Sequence, residues 1–194
     1  IAKYYDEVTP LYIKEYGCSY QACVLDTESY TVDTLNFLLR ELNIKKGDTI
    51  FDAGCGVGFA SMYFAARIPN TTYYGVTISQ KQADIANELV KSNKLENRVF
   101  IKQGDYHNLS DPNNFFDKIF FFESSCYSNN LNDLADQVAK IIKNNGTLLI
   151  KDIFLNKERE TLSKSELQEV IALESAYKLN LSTFKRIKAR IDKC

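Results

Sequence analysis

The sequence predicts an α/β protein built on a doubly wound, mostly parallel sheet, and three observations lead there. Five short runs rich in β-branched and aromatic residues, at 49–51, 73–76, 99–101, 118–122 and 147–150, have the length of buried strands. Segments of helical period lie among them, which implies right-handed crossovers and a sheet covered on both faces. The turn Asp52-Ala-Gly-Cys-Gly-Val-Gly58 follows the first run directly, and a patterned apolar stretch resumes at Phe59. Strand, glycine turn and helix start in that order bring backbone N–H groups against a small ligand.

The elements follow in chain order. Residues 3–42 read as one or two front helices carrying Tyr4, Tyr5, Tyr12, Tyr16 and Tyr20. After the strand at 73–76, Ser79 has the chemistry of an N-cap, and Ile85, Ala86, Leu89 and Val90 recur with helical spacing. Leu131, Leu134, Ala135, Val138, Ile141 and Ile142 form the single apolar face of another helix, which Asn145-Gly146 should stop before the last strand. Lys151-Asp152 after that strand reads as a solvated charge pair, with a place lining the substrate side as the alternative. Two more helices are expected near 158–178 and 182–193. The whole reads as one domain, residues 1–194, divided into front helices (1–42), a ligand-binding core (43–154) and back helices (155–194).

The bulk numbers exclude several classes. With 24 basic and 25 acidic residues the formal net charge is −1, so no nucleic acid or anionic surface is expected as partner. No apolar run reaches membrane-spanning length and the start lacks a basic-then-apolar signal pattern. The five cysteines, at 18, 23, 55, 126 and 194, form no C-x-x-C pair, which suggests reduced thiols, no metal centre and a cytoplasmic protein. Nothing specifies an oligomeric state.

In parallel sheets of this kind ligands bind beyond the carboxyl ends of the strands, so the residues after each run are the site candidates. After the first stand Asp52, Gly54, Gly56 and Gly58; a carboxylate there repels a pyrophosphate but suits an ammonium group. After the second come Thr77 and Gln82. Gln82 can close a capping box with Ser79 or reach a ligand, and both readings stand. After the third come Asp105 and Tyr106, then His107, the only histidine, which reads as a satisfied loop residue with a catalytic base as the alternative. After the fourth come Glu123 and Tyr127.

These motifs resemble the S-adenosylmethionine-dependent methyltransferases with a Rossmann-like fold. The run from Gly75 to Gln82 is similar to the G-x-T-x-S-x-x-Q pattern of the small-molecule branch that contains cyclopropane-fatty-acid synthase and the sterol and phosphoethanolamine methyltransferases. The resemblance implies a cofactor site in which Asp52 and the glycines face the methionine end, and Thr77 and Gln82 the ribose. Asp105 accepts from the adenine amino group while Tyr106 lies against the ring. It also implies a front lid in which Tyr5, Tyr20 and Gln21 close over the cofactor, with aromatic faces suited to a sulfonium cation. Glu123 and Tyr127 are the catalytic candidates. Tyr127 stands where the branch carries a histidine, and a phenol with an ordinary pKa of about 10 is a poor base at neutral pH. The family's sheet closes with two further strands, so the chain is expected to continue beyond Cys194.

The implied activity is transfer of a methyl group from S-adenosylmethionine to a nitrogen, oxygen or carbon of a small-molecule acceptor. A cofactor-binding pseudoenzyme or partner subunit is the rival that Tyr127 suggests. A nicotinamide-dependent oxidoreductase is the other, opposed by Asp52, by the G-x-G-x-G spacing in place of G-x-G-x-x-G, and by Thr77 where a ribose-binding carboxylate is normal.

Overall fold

Each apolar run becomes a strand in the computed structural model, which describes residues 1–18, 29–110 and 112–192. The elements are α1 (Ala2–Tyr16), α2 (Tyr30–Leu42), β1 (Thr49–Ala53), α3 (Phe59–Arg67), β2 (Thr72–Thr77), α4 (Gln80–Ser92), β3 (Val99–Gln103), β4 (Phe116–Phe122), α5 (Leu131–Ile141), β5 (Ile142–Lys151), α6 (Lys164–Tyr177) and α7 (Phe184–Ile191). The sheet has five strands in the order β3-β2-β1-β4-β5, every neighbouring pair parallel. Strand order reverses between β1 and β4, and the crevice above that point is where ligands bind in such sheets.

The strands read as continuous apolar runs because both faces of the sheet are covered. Ile50, Phe120 and Phe122 point to one side and pack with Leu35, Leu38 and Leu42 of α2, Phe64 of α3 and Val90 of α4. Phe51, Ile119 and Phe121 point to the other and meet Leu134, Val138 and Ile141 of α5. The two-residue alternation within β1 and β4 therefore separates two cores rather than core from solvent.

Two expectations need correction. Ile142, placed by spacing on the apolar face of the helix, instead starts β5: it pairs with Phe116, whereas the next pair along is Lys118 with Thr147. Asn145-Gly146 lies in the bulge between those pairs, with Asn145 left-handed at φ 65°, so it re-aims a strand already begun. At the back, the first helix starts later than expected, at Lys164, where Ser163 and Glu166 form a reciprocal capping box. Arg159 grips the Glu174 carboxylate through both terminal nitrogens, at 2.8 and 2.6 Å, tying α6 to the chain before it. Among the described residues no helix is long and apolar enough to cross a membrane.

Candidate active site

The glycine turn after β1 is held open by geometry that other residues do not tolerate. Gly54, Gly56 and Gly58 all have positive φ, of 81°, 55° and 73°. At Gly54 a Cβ would also sit 2.5 Å from the Ser124 Cβ, so β4 approaches the turn too closely for a side chain. The N–H groups of Gly54 and Cys55 both donate to the Val76 carbonyl, fixing the turn against β2. α3 then starts with no side-chain cap, leaving first-turn N–H groups for a ligand.

Asp52 is buried, 3% exposed, at the end of β1. Its Oδ2 accepts from the Ser61 hydroxyl at 2.7 Å, and Oδ1 has no partner among the described residues. Burial pushes its carboxyl up to about 7, against the opposing pull of the Ser61 hydrogen bond. A cation placed beside Oδ1 would relieve that cost.

At the end of β2 the Thr77 hydroxyl donates to Gln82 Oε1 at 2.6 Å, and Gln82 Nε2 donates to Thr9 Oγ1 at 3.1 Å. Ser79 does cap α4, accepting from the Gln82 backbone N–H at 3.0 Å. The reciprocal arm of a capping box does not form, because the Gln82 side chain is committed to Thr77 and to α1. The Ser79 hydroxyl itself donates to Asp6.

After β3, Asp105 Oδ1 accepts from both the backbone N–H and the ring of His107, each at 2.9 Å. The Tyr106 hydroxyl donates to the Ser124 carbonyl at 2.8 Å, and its ring meets Phe121 edge-on at 5.5 Å. His107 is satisfied on both nitrogens, since Nε2 lies 2.9 Å from Ser128 Oγ.

After β4, Glu123 adopts φ 56°, a strained conformation for a residue with a side chain, and forms an ion pair with Lys151 at the end of β5. The expected pair of Lys151 with Asp152 is thus replaced. Asp152 instead accepts from the Ser125 hydroxyl at 2.6 Å and the Cys126 N–H at 3.0 Å, holding the short 3-10 turn Ser125–Tyr127. That turn presents Tyr127, whose hydroxyl accepts from Tyr5 of α1 at 2.5 Å. Burial pushes the Tyr127 phenol well above its ordinary range, so it stays protonated at neutral pH.

These side chains converge. One cavity of about 610 Å³ is lined by Asp52, Gly54, Gly56, Thr77, Gln82, Asp105, Tyr106, Glu123, Tyr127 and Tyr5; Gly58 shapes the turn without lining it. Its lining also includes the apolar and aromatic side chains of Tyr4, Tyr12, Ile153, Leu173, Tyr177 and Leu179. Tyr20 and Gln21 lie outside the described residues. Sequence reasoning missed Thr9 and the partners of Asp6 and Lys151; Asp6 stands beside Tyr5, but no local signal tied it to Ser79. Among the described residues no group of His, Cys, Asp and Glu is arranged to hold a metal ion.

Strand order, glycine turn and buried carboxylate define a Rossmann-like α/β domain with its ligand cavity at the switch point. Residues 12–192 match the family described as mycolic acid cyclopropane synthetase, and the chain belongs to that family. It is 27% identical over 142 residues to methyltransferase GfsG of Streptomyces halstedii, covering 73% of this chain and 51% of the relative. With the sterol 24-C-methyltransferase of Kluyveromyces lactis it shares 25% identity over 163 residues, covering 81% and 44%. The chain thus spans about half the length of the curated relatives it matches. The fold is that of geranyl diphosphate C-methyltransferase from Streptomyces coelicolor A3(2), solved in complex with Mg2+, geranyl-S-thiolodiphosphate and S-adenosyl-L-homocysteine. That likeness has a TM-score of 0.83 at 18% identity, over 100% of this chain and 77% of the other.

Proposed function

We propose that the protein transfers a methyl group from S-adenosylmethionine to a small-molecule acceptor with an apolar body. The observation that carries this reading is the convergence of the motif residues after β1 to β4, with Tyr5 of α1, on one cavity. The family and the relatives' names support it, and the volume of about 610 Å³ falls within the usual range for small-molecule sites. The residues fit the cofactor. Asp52 Oδ1 is a buried, unshared acceptor suited to an ammonium, Gly54 and Gly56 let backbone approach, and Asp105 on the cavity wall keeps Oδ2 without a partner among the described residues. When bound, S-adenosylmethionine supplies an electrophilic methyl carbon on a sulfonium.

The chain's own contribution is alignment and exclusion of water. Thr77 and Gln82 offer hydroxyl and amide groups for the ribose. Tyr5 and Tyr127 present neutral rings and hydroxyls, which attract positive charge without serving as bases. Glu123, held by Lys151, supplies a carboxylate on the cavity wall, and the apolar part of the lining selects the acceptor body. An alkene or amine acceptor suits this set, because neither needs a strong base to become a nucleophile. The free thiols of Cys18, Cys55 and Cys126 favour a cytoplasmic location.

Calorimetry with S-adenosylmethionine and with NADH tests the cofactor, and tight binding of NADH with none of the former would overturn the reading. A labelled-methyl assay against a pool of lipids and small amines tests transfer. No incorporation by the full-length protein would leave a binding protein without transfer activity.

A further inference from the structure

We infer that His107 is a positioning residue for base recognition: it fixes one oxygen of Asp105 so that the other faces a purine amino group, giving the site its preference for a 6-aminopurine over a 6-oxopurine. This rests on the proposed reading of Asp105 as the adenine partner and adds a residue to it.

Asp105 sits on a loop with its side chain half exposed, where a carboxylate would ordinarily sample several rotamers. Here Oδ1 is held twice, by the backbone N–H and by Nδ1 of His107. Oδ2 has no partner among the described residues, and Asp105 lines the cavity. An ionised carboxylate only accepts hydrogen bonds. Oδ2 therefore welcomes an N–H donor and repels a carbonyl, which is the difference between the two purines at position 6.

The ring of His107 is in turn fixed by tertiary structure. Its Nε2 meets the hydroxyl of Ser128, which is fully buried, and the Asn130 N–H reaches that same oxygen at 3.3 Å. The Ser128 carbonyl accepts from Asn180 Nδ2 at 2.7 Å. One proton arrangement serves the neutral ring throughout: Nδ1–H donates to Asp105, Nε2 accepts from the Ser128 hydroxyl, and the Ser128 oxygen accepts from Asn130. The loop after β3 is thereby braced against the turn before α5. A site built around a donor rejects an analogue that lacks it more strongly than an apolar pocket could.

The test measures affinity for S-adenosylhomocysteine and for its deaminated analogue S-inosylhomocysteine by calorimetry on the full chain, together with thermal midpoints. Wild type is expected to favour the amino compound by about tenfold or more, the range for a hydrogen bond to a charged group. Asp105→Asn should bring the ratio below about threefold. His107→Asn places an amide donor near the position of Nδ1 and should retain most of the preference. His107→Gln reaches Ser128 instead and should lose most of it, with overall stability little changed. Ser128→Ala, which leaves both partners in place, should give a smaller loss and serves if His107→Gln does not fold. If Asp105→Asn removes the preference while His107→Gln and Ser128→Ala keep it, or lower both affinities equally, this inference fails and the adenine reading stands. If Asp105→Asn leaves the ratio unchanged, both fail.

Discussion

Replacing Asp52 by asparagine should stabilise the free protein above neutral pH and weaken cofactor binding, and the two effects have one origin. The carboxyl is raised from 3.8 to about 7 chiefly by burial. A raised folded-state value means that the folded protein holds a proton which the unfolded chain releases from about pH 4 upward. Stability therefore falls as pH rises from about 4 to about 7 and is level beyond it, the opposite of a carboxylate held by a salt bridge. At 1.36 kcal/mol per pK unit the ionised form costs the fold about 4 kcal/mol. The asparagine variant keeps the Ser61 contact and escapes that cost. In a chain of this size it should melt on the order of 8–16 °C higher than wild type at pH 8, and no higher at pH 4. Binding runs the other way. An ammonium beside Oδ1 restores the ionised state, so affinity for S-adenosylhomocysteine should climb between pH 5.5 and 7. It should then decline above about pH 8, as the ligand's own amino group loses its proton. Methylthioadenosine, which has no amino group, should show a flat profile. Thermal melts and calorimetry across this range check both halves. A variant no more stable at pH 8 than wild type, or an affinity for S-adenosylhomocysteine that ignores pH below 7, would refute the argument.

Four further outcomes follow from the same geometry. Gly54→Ala must place a Cβ against the Ser124 Cβ at φ 81°, and urea unfolding should show a loss of about 3 kcal/mol. Lys151→Met leaves the partly buried Glu123 carboxylate without its cation and should cost about 2 kcal/mol, whereas the double variant with Glu123→Gln should cost less than the two single losses added, measured as a double-mutant cycle. Gln82→Leu strands the buried hydroxyls of Thr77 and Thr9, so affinity for S-adenosylhomocysteine should fall by about tenfold and amide exchange in α1 should quicken. Tyr127→Phe deletes the acceptor of the Tyr5 hydroxyl and should lower kcat in the labelled-methyl assay by about tenfold, with the cofactor KM within about twofold.

The sheet was legible in the sequence for a physical reason: strands covered on both faces must be apolar throughout, and turns at the carboxyl edge must be glycine where backbones nearly touch. Residues 52–58 satisfy both demands within a dozen positions of one strand, so local reading sufficed. What local reading could not supply were partners distant in sequence. Gln82 has the spacing of a capping residue relative to Ser79, but Thr9, 73 residues earlier, offers its amide a better bond. Lys151 stands next to Asp152, yet its partner Glu123 is 28 residues away across the β4–β5 edge. Ile142 fits the helical stripe of α5, and only its pairing with Phe116 puts it in a strand. In each case a tertiary hydrogen bond or strand pair overrides a pattern that was correct in isolation.

The front helix shows why those distant bonds bear on activity. Among the residues of α1 only Thr9 is fully buried, while Tyr4, Tyr5, Val8, Tyr12 and Ile13 are half-buried. Its attachment to the core includes a set of polar bonds: Asp6 to Ser79 and to the Lys81 N–H, Thr9 to Gln82, and Tyr5 to Tyr127. At roughly 1 kcal/mol net for each such bond, these polar contacts together contribute a few kcal/mol, well below the stability of a whole domain. Pro10 within α1 weakens it further, because it has no N–H to donate to the preceding turn. Besides Ser79 and the Lys81 N–H, the groups held by α1 are Gln82 and Tyr127, and both line the cavity. The Thr9–Gln82–Thr77 chain and the edge-on contact of the Tyr5 and Tyr127 rings, 5.7 Å between centroids, tie the helix to the cavity wall. A polar attachment lets solvent take over each bond as it breaks.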